Sequence, residues 1–159
     1  MTAVTKRILV YGYGNPGRQD DGLGPALVRL LEEELIPGVE TDSNYQLQIE
    51  DAVSVANSDM VIFVDASYVG DGPYDFYGLE PSAEITFTTH SMSPASVLAL
   101  THELYRKAVR AYVLAIRGYE WELSEELSSG AARNLDAAHR FLREKISEFM
   151  STDGKVAAH

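Results

Sequence analysis

The sequence predicts an α/β three-layer sandwich with a mainly parallel sheet. Two unbroken apolar runs, Ile8–Tyr11 and Met60–Val64, have the pattern of strands that are covered on both faces. Helical spacing of apolar residues alternates with such runs along the chain, which is typical of a parallel sheet between two helix layers. Because no repeat or linker interrupts the pattern, we expect one domain over residues 1–150 and a polar tail over 151–159.

The first half of the chain alternates strands and helices. After the strand that starts at Ile8, leucines at helical spacing from Leu23 to Leu35 predict a helix, and Pro37-Gly38 ends it. A second strand over Val39–Tyr45 and a helix over Gln46–Asn57 follow. The run Met60–Val64 then predicts a central strand that ends at Asp65.

The second half begins with a long loop, since glycine and proline recur between Val69 and Ser82. The loop has room for a short strand near Tyr74–Tyr77. Alternating residues predict a strand over Glu84–Thr88, and Ser93-Pro94 predicts a helix from Ser93 to about Lys107. A further apolar run predicts the last strand over Ala111–Ile116, and Ser128 or Ser129 starts a closing helix that ends at Phe149.

Composition excludes several classes of function. The 159 residues contain no cysteine, which excludes disulfides, thiolate nucleophiles and cysteine-based zinc sites. The formal net charge of −11 disfavours nucleic acid and anionic membrane surfaces as partners, because both require a basic patch. The N-terminal residues lack the apolar core of a signal peptide and no run approaches membrane length, so we expect a cytoplasmic location and no membrane partner.

The first strand leads into a glycine-rich loop that resembles a nucleotide-binding fingerprint. Gly12, Gly14 and Gly17 have the spacing G-x-G-x-x-G, in which a helix N-terminus receives a pyrophosphate. Here Asp20 and Asp21 stand at the start of the helix, where two carboxylates would repel a phosphate and satisfy the helix end themselves. Carboxylate chemistry is therefore favoured over nucleotide binding, which stays as an alternative.

Three polar residues stand at the ligand side of the predicted sheet. Asp21 opens a helix, and Asp65 and His90 each follow a predicted strand. If these strands are neighbours, two carboxylates and one imidazole converge into a site for a divalent transition metal. Each residue also has a purely structural interpretation, as a helix cap, a strand-end turn and a hydrogen-bonded loop histidine. No G-x-S-x-G or H-E-x-x-H pattern offers another catalytic centre.

Four motifs of the chain match a known family in order and spacing. They are Gly12-x-Gly14-Asn15, Asp20-Asp21-Gly22-x-Gly24, Val64-Asp65-Ala66 and Thr89-His90-Ser91-Met92-Ser93-Pro94. With them the chain resembles the nickel–iron hydrogenase maturation endopeptidases, over residues 6–149. The resemblance implies a five-stranded, mostly parallel sheet, and a protease that removes the C-terminal extension of a hydrogenase large-subunit precursor after nickel insertion.

The resemblance also assigns roles to residues. The family's metal ligands map onto Asp21, Asp65 and His90, which would also be the catalytic residues, with nickel carried by the precursor as the recognition element. We assign Gly12, Gly14, Asn15 and Asp42 to substrate binding. Asp42 lies where many relatives carry a D-G-G-T-like segment, whose glycines are missing here, so the partner hydrogenase stays open. A nucleotide-binding oxidoreductase fragment and a non-catalytic metal-binding maturation chaperone are the two competing hypotheses.

Overall fold

A five-stranded sheet lies between two layers of helices, as the sequence predicts. The computed structural model describes residues 6–83, 85 and 92–151. The strands are β1 (Ile8–Tyr13), β2 (Val39–Asn44), β3 (Met60–Ser67), β4 (Tyr74–Leu79) and β5 (Arg110–Arg117), and the helices are α1 (Leu23–Glu34), α2 (Asp51–Ala56), α3 (Pro94–Tyr105) and α4 (Ser129–Ser151). The sheet order is β2-β1-β3-β5-β4, in which β4 alone is antiparallel to its neighbour.

Alternating side chains of the central strands build two separate cores. Ile8 and Val10 face one core with α1 and α4, while Leu9 and Tyr11 face the other with α2 and α3. The central strand β3 is fully buried from Met60 to Val64, which explains why its sequence is an apolar run without alternation. The parallel arrangement brings the carboxyl ends of β1, β3 and β5 to one edge of the sheet, where ligand sites of such sheets form.

Specific polar contacts fix the ends of the helices. Ser93 caps α3, since its Oγ accepts a hydrogen bond from Ser96 N at 3.1 Å, and Pro94 occupies the first turn. Glu34 at the end of α1 joins α4 through Arg143 Nε at 2.9 Å and through the His139 ring. No helix in the described part of the chain is both long enough and apolar enough to cross a membrane.

The structure corrects three of the predicted elements. The predicted helix over Gln46–Asn57 begins only at Asp51, because the Asp51 carboxylate accepts a hydrogen bond from Gln48 N at 2.8 Å and holds the preceding residues in a turn. The third strand does not end at Asp65 but continues to Ser67, since β5 pairs with it through Arg117. The short strand considered near Tyr74–Tyr77 extends to Leu79 and forms an edge strand of the sheet.

Two further predictions fall mainly outside the described residues. Of the predicted strand Glu84–Thr88, the structure describes only Ile85, which is not in a strand. Of the predicted tail over 151–159, it describes only Ser151, which is the last residue of α4.

The close approach of α1 to the sheet generates a first prediction. A Cβ on Gly24 would lie 2.5 Å from Val64 O and 2.8 Å from Tyr13 O, so Gly24→Ala forces the helix away from backbone atoms that cannot move independently. We expect Gly24→Ala to lower the free energy of unfolding by about 1–3 kcal/mol, the usual cost of overpacking. Chemical denaturation measures the change.

Gly78→Ala is the matched control, because a Cβ at Gly78 in β4 meets nothing within 4 Å. If Gly24→Ala unfolds at the same denaturant concentration as Gly78→Ala, the contact between α1 and the sheet is looser than the structure describes.

Candidate active site

The candidate site begins in the loop that joins β1 to α1. Asp21 lies in a short 3₁₀ turn over Gln19–Gly22, and its Oδ2 accepts a hydrogen bond from Asn15 N at 2.7 Å. Gly14 has φ of +139°, and a Cβ there would lie 1.9 Å from Asp21 O. The loop therefore folds tightly onto Asp21, and only glycine fits at residue 14.

Asp65 comes from the neighbouring strand and reaches the same edge of the sheet. The last residue pair between β1 and β3 is Gly12 with Val64, so Asp65 lies one residue beyond it, opposite Tyr13 and paired with Ala115 of β5. The carboxylate accepts hydrogen bonds from the Tyr13 hydroxyl and from Ala66 N, the latter at 2.8 Å. These contacts fix its position at the carboxyl end of β1.

The electrostatics place the two carboxylates together. Burial raises the pKa of Asp65 to about 6, the Asp21 carboxylate raises it as well, and the hydrogen bonds from Tyr13 and Ala66 act in the opposite direction. Burial and the adjacent Asp65 charge raise the pKa of the Tyr13 hydroxyl far above its ordinary value, which keeps that hydroxyl a donor. Two of the three predicted ligands are therefore close enough for the charge of one to affect the pKa of the other.

The third predicted ligand, His90, lies outside the described residues. The chain becomes described again at Met92, which is buried in the core on the side of α2 and α3 and donates its N–H to Leu47 O. Over residues 6–83, 85 and 92–151 there is no group of three or more histidine, cysteine, aspartate or glutamate side chains that could hold a metal ion. The convergence of all three ligands stays a prediction.

The residues predicted to bind substrate are not all in one place. Gly12 lies inside β1 rather than in the glycine-rich loop that follows it, which corrects its predicted location, whereas its assignment to substrate binding stays a prediction. A Cβ on Gly12 would lie 2.3 Å from Gly24 O, which gives Gly12 a packing role. Gly14 and Asn15 do adjoin Asp21. Asp42 lies on the edge strand β2, exposed and paired in register with Tyr11.

Asp42 belongs to a second polar group on the side of α2. Burial, followed by the charges of Asp51 and Asp42, raises the pKa of the Tyr11 hydroxyl far above its ordinary value. The Asp42 carboxylate also accepts a hydrogen bond from Ser43 N at 2.8 Å. Asp42 therefore lies two residues before the end of β2, close to Tyr11 and Asp51.

The glycine-rich loop does not offer the cradle of backbone N–H groups that a phosphate needs. Pro16 has no N–H, and each of the other donors is already bonded inside the protein. These bonds run from Gly14 N to Asn44 O (3.1 Å), Asn15 N to Asp21 Oδ2 (2.7 Å), Gly17 N to Asn15 Oδ1 (2.8 Å) and Arg18 N to Asn15 O (3.0 Å). The described geometry thus agrees with the charge argument against nucleotide binding.

Asp20 has a role that the sequence does not reveal. Its side chain is fully buried and accepts hydrogen bonds from Tyr119 N, Glu120 N, Ser128 N and Ser128 Oγ, at 2.7, 2.9, 2.9 and 2.7 Å. Burial acts to raise the pKa of Asp20, but these hydrogen bonds outweigh it and lower the pKa. Asp20 thereby ties the loop between β5 and α4 to the loop that carries Asp21.

Gln19 strengthens the same junction between the two loops. Its backbone is left-handed, with φ of +48°. Gln19 N donates to Ser124 O at 2.8 Å, and Gln19 Oε1 accepts from Glu122 N at 2.9 Å. The partners of Gln19 and Asp20 lie about a hundred residues further along the chain, so no local pattern could have identified them.

Comparisons with known proteins give matches among solved structures. No protein-family model matches the sequence, and no curated protein matches it. The hydrogenase maturating endopeptidase HybD from E. coli is 22% identical, over 89% of this chain and 93% of its own, with a TM-score of 0.71. The chain has the fold of the hydrogenase maturation proteases.

Two archaeal structures extend this likeness. The [NiFe] hydrogenase maturation protease HycI from Thermococcus kodakarensis KOD1 is 23% identical, covers 88% of this chain and 92% of its own, and has a TM-score of 0.69. The hydrogenase 2 maturation peptidase from Thaumarchaeota archaeon SCGC_AB-539-E09 is 24% identical, matches over 89% of this chain and 99% of its own, and has a TM-score of 0.67. At such identities the likeness establishes the fold, and it confirms the predicted α/β architecture.

The buried network around Asp20 generates a second prediction. In Asp20→Asn an NH₂ group replaces one of the two carboxylate oxygens that accept hydrogen bonds. At least one of the N–H groups that point at Asp20 then faces another hydrogen-bond donor inside the protein. We expect the variant to lose about 2–4 kcal/mol of unfolding free energy, since breaking a buried charged network leaves unsatisfied groups. Asp71→Asn, at an exposed loop position, is the control and should leave the denaturation midpoint unchanged. Equal stability of the two variants would contradict the role given to Asp20.

The raised pKa of Asp65 generates a third prediction. The folded protein holds a proton on Asp65 up to pH of about 6, whereas the ordinary value is 3.8. The folded state therefore binds more protons than the unfolded state between these values, and its stability falls as pH rises through that window. In Asp65→Asn the side chain at this position carries no charge at any pH in this range. At neutral pH the free energy of unfolding of the variant should therefore exceed that of the unchanged protein by on the order of 1–3 kcal/mol.

The two proteins should converge in stability below the ordinary pKa of an aspartate, where both side chains are neutral. Denaturant titrations of the chelator-treated proteins across this pH range measure the difference. A gain in stability that is the same at acidic and neutral pH would exclude the Asp65 charge as its cause.

Proposed function

We propose that the protein is an endopeptidase that removes the C-terminal extension of a nickel–iron hydrogenase large-subunit precursor after nickel insertion, with the bound nickel as the recognition element. The observation that carries the proposal is the electrostatic interaction of two carboxylates, Asp21 in the loop after β1 and Asp65 in β3, in a fold shared with maturation proteases. We place the reaction in the cytoplasm, without a nucleic acid or membrane partner.

The chemistry of the pair suits a divalent cation that arrives with the substrate. Two carboxylates that repel each other are stabilised when a dication lies between them. Asp21 uses one oxygen to accept the Asn15 N–H, and a carboxylate has further lone pairs available for a metal. His90 is proposed to complete the set as the imidazole ligand. Nickel is the cargo of the precursor here and part of the substrate.

The carboxylates would anchor the precursor and orient the bond to be cleaved. Holding the metal-bearing end of the precursor at Asp21 and Asp65 positions the following peptide segment over the same edge of the sheet. A metal held there can polarise the scissile carbonyl, and a carboxylate can accept the proton of the attacking water. The hydrogen bonds from Tyr13 and Asn15 would keep both carboxylates in place during this step.

The substrate-binding residues have different proposed contributions. Gly14 and Asn15 would form the wall of the site beside Asp21, and Asp42 is proposed to contact the precursor from the edge strand β2. Gly12 acts only indirectly, because it allows α1 to carry Asp21 close to the sheet.

A fourth prediction tests the proposed ligands. Asp21→Asn, Asp65→Asn and His90→Ala should each abolish shortening of the nickel-loaded precursor. The two asparagine variants remove negative charge that stabilises a divalent cation, and the alanine variant removes the imidazole ligand. Asp21→Asn is the sharpest of the three, because the amide oxygen of asparagine can still accept the Asn15 N–H that Asp21 Oδ2 accepts, so the loop keeps this hydrogen bond while the charge is lost. The measurement is the size of the large subunit on a gel, with melting curves alongside.

Asp136→Asn, at an exposed position on α4, serves as the control and should process the precursor normally. If Asp21→Asn is active, Asp21 is only a structural residue and the proposed site is wrong. If the unchanged protein binds nickel but never shortens any precursor, the hypothesis of a metal-binding chaperone replaces the endopeptidase.

A further inference from the structure

An exposed apolar surface lies beyond the carboxyl ends of β3 and β5, next to the carboxylate pair. Tyr68, Val69, Trp121 and Leu123 form it, and we call it the aromatic shelf. Tyr68, Val69 and Leu123 expose 65%, 73% and 84% of their surface. Single exposed apolar residues are ordinary, but a group of them beside a candidate site is typical of an interaction surface.

The two loops that carry the shelf form one continuous structure. The rings of Tyr68 and Trp121 stack with centroids 4.0 Å apart and an angle of 24° between their planes. Between the same two loops, Gly118 N donates to Ser67 O at 2.9 Å and Arg117 Nε donates to Gly70 O at 3.2 Å. The loop after β3 and the loop after β5 therefore present their apolar side chains together.

The shelf is also fixed relative to Asp21. The buried Asp20 carboxylate and the Gln19 side chain bind backbone groups on both sides of Trp121. The exposed side chains are therefore supported by an ordered backbone. A surface that is ordered before binding loses less conformational entropy when a partner docks.

The charges around the shelf are mainly negative. The same two loops carry exposed carboxylates, and the ion pairs found among the described residues do not involve them. These carboxylates belong to Asp71, Glu120, Glu122, Glu125 and Glu126. Three guanidinium groups also lie nearby: Arg18 donates to Trp121 O at 3.5 Å, Arg117 lies over the Tyr119 ring at 4.8 Å, and Arg133 lines a pocket with Glu120. The five carboxylates outnumber them. Charge complementarity therefore favours a basic partner.

The spacing relates the shelf to the carboxylate pair. Tyr68 follows Asp65 by three residues and lies one residue past the end of β3 at Ser67, so their Cα atoms are at most roughly 10 Å apart. An extended peptide covers that distance in about three residues.

We propose that the aromatic shelf binds a segment of the substrate polypeptide that combines apolar with basic side chains, about three residues from the bond that is cleaved. The identity of this segment as substrate rests on the proposed endopeptidase function, whereas its binding does not. A second copy of this chain is a poor occupant, because the rim and the chain as a whole are acidic, with a net charge of −11.

Trp121 provides a direct readout, since it is the single tryptophan of the chain. The probes are three short, blocked peptides in which leucine alternates with lysine, glutamine or glutamate. We expect the lysine peptide to change the Trp121 fluorescence in a saturable way, more weakly at high salt. The glutamate peptide should bind at least about tenfold more weakly, because like charges oppose docking.

A double variant, Val69→Ser with Leu123→Ser, should weaken binding of the lysine peptide by about tenfold, as expected when apolar anchors are removed. Both residues are highly exposed, so the fold should be unaffected. Leu104→Ser on α3, also at an exposed leucine (57%), is the matched control and should bind the peptide like the unchanged protein. The absence of saturable binding, equal binding of the lysine and glutamate peptides, or an unaffected double variant would each overturn the proposal.

The same titration on Asp65→Asn separates this proposal from the proposed function. Retained peptide binding by Asp65→Asn supports the shelf whatever the fate of catalysis. If the unchanged protein binds the peptide but does not shorten the precursor, the endopeptidase proposal alone fails. If it shortens the precursor and the double variant does so with an unchanged KM, the shelf proposal alone fails.

Discussion

The contact between α1 and the sheet at two glycines is the constraint on which the site depends. Gly12 in β1 and Gly24 in α1 meet without side chains, so the helix starts directly against the backbone of Tyr13 and Val64. Asp21, three residues before Gly24, is thereby held over the end of β1 and interacts with Asp65 from β3. A methyl group at either glycine would separate the helix from the sheet, and with it the two carboxylates.

Adjacent aspartates in the loop before α1 have opposite environments. Asp20 is buried but surrounded by four hydrogen-bond donors, which lower its pKa and make its charge part of the scaffold. Asp21 adjoins Asp65, whose pKa is raised by burial and by the Asp21 charge. An unfavourable carboxylate pair of this kind is typical of functional sites, where stability is reduced for the sake of binding or catalysis.

The loop between β5 and α4 connects the site to the aromatic shelf. Asp20 and Gln19 hold it against the loop of Asp21, and the stacked rings of Tyr68 and Trp121 hold it against the loop after β3. The carboxylate pair and the shelf therefore share their supports. Under the proposed function, the precursor would be held by its metal-bearing end and by neighbouring side chains on one ordered surface.

The sequence by itself determined the apolar strand runs and the helix start at Ser93-Pro94, because hydrophobic periodicity and capping chemistry are local. The resemblance to maturation proteases rests on four motifs in order along the chain. The sequence also singled out Asp21 and Asp65, since polar residues after buried strands meet at one edge of a parallel sheet. Only the tertiary structure decided that Asp20 is scaffold, that Gly12 is a packing residue, that α2 starts at Asp51 and that Trp121 stacks on Tyr68. Each of these depends on partners distant in the chain or on a competing local hydrogen bond, which periodicity does not record.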